Sequence, residues 1–71
     1  MLTKKAWINI ITPRGAFEFN MTKEELDEKM NLIKHLINTD GGYIQLVSSK
    51  YQATVFSGDI IKESVIQFGE I

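Results

Sequence analysis

The sequence predicts an α+β domain in which one helix packs on a small mixed or antiparallel sheet of four to five strands, in the order ββαβββ. Three observations predict it. A single helix, with signals at both ends, is written between Met21 and Gly42. Short runs rich in β-branched and aromatic residues flank it on both sides. Those runs carry apolar side chains on both faces, whereas one helix covers only one face of a sheet. The other face must therefore close on itself, take a partner or stay bare.

The first run, Ala6-Trp7-Ile8-Asn9-Ile10-Ile11, is too short for an independent helix and reads as a strand. Thr12-Pro13-Arg14-Gly15 follows as a turn: proline suits its second position, and glycine its fourth, where a type I turn closes into a bulge. Ala16-Phe17-Glu18-Phe19 alternates and returns as the second strand of a hairpin.

The helix is expected over residues 23 to 39. Thr22 is the N-cap, with Glu25 three residues on to complete a capping box, and Met21 and Leu26 form a hydrophobic staple. Glu24, Glu25 and Asp27 suit its positive end; Lys34 and His35 suit its negative end. Gly41-Gly42 stops it. At helical spacing Leu26, Met30, Ile33 and Ile37 share one stripe, widened by Leu32 and Leu36, opposite Glu24, Glu28, Asn31 and His35. Beyond the glycines, Tyr43 to Val47 and Tyr51 to Phe56 read as strands joined near Ser48-Ser49-Lys50. Ser57-Gly58-Asp59 reads as a turn, Ile60 to Glu63 as a short irregular turn, and Ser64 to Phe68 as the last strand.

This order resembles the β-grasp layout of ubiquitin-like domains, and Ile61-Lys62-Glu63-Ser64 before an apolar strand is similar to the entry into the last ubiquitin strand. The resemblance implies a β-grasp-like sheet. It does not extend to a conjugated tag, because the chain ends Phe68-Gly69-Glu70-Ile71 without a terminal glycine pair. A small SH3-like or Sm-like barrel with a helix is the alternative architecture.

Seventy-one residues, 44% of them apolar, make one small domain spanning positions 1–71. A chain of this size buries only about 60% of the surface it exposes when unfolded. It has no cysteine, hence no disulfide or thiolate metal site to reinforce the core. Eight basic against nine acidic residues leave a net charge of −1, which argues against binding nucleic acid by phosphate neutralisation. The apolar run after Lys4-Lys5 is too short for a signal sequence or membrane span, so the expectation is a cytoplasmic protein with no membrane contact. Asn20-Met21-Thr22 matches the glycosylation pattern by letters alone.

Catalytic chemistry is not expected. His35, the single histidine, projects opposite the apolar stripe with no carboxylate evidently placed to orient it. The acidic residues bunch in one helical turn, where the helix dipole accounts for them, and no metal or cofactor is implied. The serines fall near turns, outside any nucleophile-elbow pattern. Gly41-Gly42 lies at a helix C-terminus, which repels phosphate.

What remains is the surplus face. If Ile8 and Ile10 face the helix, alternation lets Phe17, Phe19, Ile44, Leu46, Ile66 and Phe68 join them. Trp7, Ile11, Tyr43, Val47 and Val65 then point the other way, interrupted by Asn9, Gln45 and Gln67. These five are the expected partner-binding residues of a non-catalytic interaction module. It would associate with itself or another protein through that face or an edge strand, with a homodimer the leading form. The alternative is single-stranded nucleic acid, with Trp7, Tyr43 and Tyr51 stacking bases and Lys4, Lys5, Arg14 and Lys50 meeting phosphates.

Overall fold

The computed structural model describes residues 4–47 and 52–71. Among these residues five strands and two helices follow in the order β1 (Lys5–Thr12), β2 (Gly15–Thr22), α1 (Lys23–Ile37), β3 (Tyr43–Val47), β4 (Ala53–Ser57), α2 (Gly58–Lys62) and β5 (Val65–Glu70). The single-sheet expectation is overturned. Two helices accompany two separate antiparallel sheets, one of three strands in the order β2-β1-β5 and one formed by β3-β4. The β-grasp-like arrangement therefore does not describe the chain. Neither does the closed barrel, since no ladder joins the two sheets among the described residues.

The break lies at the outer strands. Strand β1 pairs on both edges, Ile8 with Phe19 on one side and with Phe68 on the other. Among the described residues neither β2 nor β5 takes β3 or β4 on its outer edge, and those two strands pair with each other. Alternation still holds within each sheet. Ala6, Ile8 and Ile10 of β1, Phe19 of β2, Ile44 and Leu46 of β3, and Phe56 of β4 all point inward and are buried. They form one cluster with Leu26, Ile33 and Leu36 of α1 and Ile61 of α2. Helix α1 touches β1, β2 and β3, so it lies across both sheets instead of covering one.

The hairpin forms as its turn residues require. Thr12 Oγ1 donates to the Gly15 carbonyl at 2.9 Å and accepts the Arg14 N–H at 3.0 Å, and Gly15 takes a φ of +146° that disfavours any residue with a Cβ. The capping box is present: Thr22 Oγ1 accepts the Glu25 N–H at 3.1 Å, while Glu25 Oε1 accepts the Thr22 N–H at 3.4 Å. The helix stops at Ile37, two residues earlier than the spacing predicts. Asn38 Nδ2 donates to the Lys34 carbonyl at 2.8 Å and Thr39 Oγ1 to the His35 carbonyl at 2.9 Å, so side chains satisfy the last carbonyls first. The stripe is also narrower than expected, for Leu32 and Ile37 stay exposed and Met30 is half-buried.

The second helix replaces the expected turns. Ser57 caps it, its Oγ accepting the Ile60 N–H at 3.3 Å, with Asp59 in the first turn and Lys62 in the last. Gly58 opens it, donating to the Gly42 carbonyl at 2.9 Å; a Cβ here would stand 2.5 Å from the Gly41 carbonyl oxygen. The close approach needs glycine even though glycine is a poor helix former.

Candidate interaction surface

Residues directly opposite in an antiparallel pair share a face. On the outer face of the three-stranded sheet this gives three rows: Asn20–Trp7–Gly69, Glu18–Asn9–Gln67 and Ala16–Ile11–Val65. Trp7 is half-buried because its ring lies on Gly69, where a Cβ would come within 2.9 Å of Trp7 Cζ2. Ile11 and Val65 are exposed side by side. Asn9, in the middle row, has its Oδ1 shielded from solvent without a hydrogen-bond partner among the described residues.

Tyr43 and Val47 lie elsewhere. They are exposed on the outer face of the β3–β4 hairpin, with Val55 beside them. The five residues expected to form one partner-binding face thus fall into two sets on two sheets: Trp7, Ile11 and Val65 on one, Tyr43 and Val47 on the other. The two described stacking residues of the nucleic-acid alternative are divided in the same way. Trp7 and Tyr43 are not on one platform, Arg14 sits at the far end of the hairpin from Lys4 and Lys5, and Tyr51 and Lys50 lie outside the described residues.

On the inner face two residues take the expected side but stay exposed, Phe17 at 37% and Phe68. Phe68 stands in the same cross-strand row as Ile8 and Phe19, both buried, yet is itself 53% exposed. Ile66, in the next row, is only partly buried. Helix α1 leaves an open groove of about 450 Å³ alongside β5, with Leu26, Met30 and Phe68 as its apolar lining and Lys34 and Glu70 among its polar groups. At the helix start Lys23 pairs with Asp27, and that hydrogen bond holds the exposed Lys23 ammonium above its ordinary pKa. A second concavity of about 480 Å³ opens between the hairpin turn and β4, lined by Phe17, Tyr43, Val55 and Phe56, with Arg14 at its margin. Phe17 meets Phe56 edge-on there, with ring centroids 5.2 Å apart.

The backbone of β5 completes the geometry. The Ile71 N–H donates to the Lys5 carbonyl at 2.9 Å, which sets the phase of the β1–β5 ladder. Hydrogen-bonded pairs alternate with non-bonded ones. With Ala6 opposite Glu70, residues 65, 67 and 69 therefore direct their backbone groups at β1. Ile66, Phe68 and Glu70 direct theirs outward, along the open edge of the sheet. The strand's inward side chains and its free main-chain groups thus belong to the same residues.

Ser57 and Ser64 hydroxyls serve the backbone of α2, Ser64 Oγ donating to the Ile60 carbonyl at 2.6 Å. Among the described residues no three carboxylate or imidazole side chains gather as a metal site, and no helix is long and apolar enough to cross a membrane. We compared the chain with protein-family models, curated proteins and solved structures. It matches none of them.

Proposed function

We propose that this chain is a non-catalytic protein-interaction module that associates with itself, and that the uncovered strand β5 with its adjoining outer face carries the contact. One observation supports this reading above the rest. Strand β5 lies at a sheet edge and is bare and apolar on both sides, Val65 outward at 57% exposure and Phe68 inward at 53%. Apolar side chains on both faces are the mark of an interior strand, and an open edge of this kind is a template for another strand. Trp7 and Ile11 on the neighbouring strand extend the apolar surface, and aromatic anchors of this sort dominate binding where they become desolvated. The nucleic-acid alternative gains no such support among the described residues, where Trp7 and Tyr43 lie on different sheets and Arg14 lies far from Lys5.

Molecular mass measured by sedimentation across a wide concentration range tests the reading. The expected result is a shift from the 8.1 kDa monomer toward twice that value. Trp7→Ala should move the shift to higher concentration while the helical circular-dichroism signal persists. A single 8.1 kDa species at every concentration contradicts self-association.

A further inference from the structure

We infer that two copies of this chain pair through β5 across a two-fold axis, in antiparallel register with Gln67 on the axis, to form one continuous six-stranded sheet. This inference rests on the self-association proposed above and specifies its geometry.

The partner is a second copy because β5 complements itself. Each inward residue of β5 also presents its N–H and C=O outward, so an antiparallel copy must place even-numbered residues opposite one another to bond. Three such registers keep most of the strand paired. With Phe68 on the axis, Ile66 meets the partner's Glu70 carboxylate. With Ile66 on the axis, Phe68 meets the partner's Ser64, whose hydroxyl is already given to the Ile60 carbonyl. With Gln67 on the axis, Ile66 meets the partner's Phe68, and Phe68 meets the partner's Ile66. The inward row Phe19–Ile8–Phe68 then continues into the second molecule instead of ending on a bare ring.

The outer face favours the same register. Val65 falls opposite the partner's Gly69, and the partner's Trp7 ring already lies on that glycine. Two residues with no contact across one molecule, Trp7 and Val65, become neighbours across two. Glu70, the only charge in β5, falls beyond the paired block from Val65 to Gly69.

The other edges do not fit a copy as well. Strand β2 carries Glu18 at its middle, so self-pairing there would set carboxylates close together. Strands β3 and β4 already bury their inward residues Ile44, Leu46 and Phe56, and so have no unfinished row to extend.

Cysteine scanning tests the register, because the chain has no cysteine of its own. Gln67 would face the partner's Gln67 as a non-hydrogen-bonded pair, with Cα atoms about 4.5 Å apart and within disulfide reach. Gln67→Cys is expected to give a covalent dimer under mild oxidation. Glu18→Cys, on the other side of Asn9 in the same row, should form one about tenfold more slowly or not at all. Phe68→Lys, at an already exposed position, should keep the circular-dichroism spectrum and weaken self-association by about tenfold or more. A wild-type dimer in which Gln67→Cys links no faster than Glu18→Cys, or in which Phe68→Lys changes nothing, overturns β5 pairing and leaves self-association standing. A wild-type chain that stays monomeric alone, including one that takes a strand only from a different protein, overturns both.

Discussion

Gly69→Ala is the sharpest test of how the outer face is packed. The added Cβ would stand 2.9 Å from Trp7 Cζ2 and 3.1 Å from Trp7 Nε1 and Cε2. Carbon atoms in good contact sit at about 3.5–4.0 Å, so the indole must shift by roughly 0.6 Å or more. Overpacking of this kind costs about 1–3 kcal/mol. Alanine also restricts the unfolded chain, which returns about 0.4–1 kcal/mol where the backbone is compatible. Gly69 has no left-handed φ, so that gain applies in full. The net expectation is a loss of about 1–2 kcal/mol, or roughly 4–15 °C in Tm for a domain of this size. Urea denaturation followed by circular dichroism, at concentrations where the chain is monomeric, measures it. The decisive step is the same change in a Trp7→Ala background. With the ring gone, Gly69→Ala should stabilise by about 0.4–1 kcal/mol, giving a coupling of about 1–3 kcal/mol between the two positions. Equal effects in both backgrounds would refute the packing of Trp7 on Gly69.

Two further substitutions follow from the same geometry. Gly58→Ala places a Cβ 2.5 Å from the Gly41 carbonyl oxygen and threatens the Gly58 N–H to Gly42 hydrogen bond. Backbone does not yield as a side chain does, so the expected loss is about 3 kcal/mol or more, read as a fall in urea midpoint. A domain of this size holds only about 4–10 kcal/mol in all, so the variant should sit near unfolding. Asn9→Val removes an acceptor that is shielded without a partner among the described residues and adds a strand-favouring side chain. It should raise the thermal midpoint, by about 1 kcal/mol in stability; a drop would mean that Asn9 Oδ1 is satisfied in solution.

Local chemistry was legible where a few adjacent residues decide the outcome. Thr12 to Gly15 specify the hairpin turn, and Thr22 with Glu25 specify the helix start, because each partner lies within three positions. Inward and outward phase was legible too, since alternation in β1 and β3 separates Ile8, Ile10, Ile44 and Leu46 from Trp7, Ile11, Tyr43 and Val47. Sheet membership was not. Whether Tyr43 and Trp7 share a surface depends on which strands hydrogen-bond, and nothing in either strand's pattern encodes its neighbour. Helix α2 was hidden for a different reason: five residues give no period to read, and Gly58 at its start resembles a turn residue. Phe68 took the expected face yet stayed exposed, because a strand's phase says which face a side chain takes and not how far the covering helix reaches.

Amide hydrogen exchange at β5 tests most directly the claim that this strand is an unfinished edge completed by a second copy. The outward N–H groups of Ile66 and Phe68 should exchange rapidly in dilute solution and become protected as concentration rises. Those of Glu18 and Asn20 on the β2 edge should remain unprotected throughout. Rates at Ile66 and Phe68 that do not change with concentration, or protection that appears on β2 instead, would contradict it.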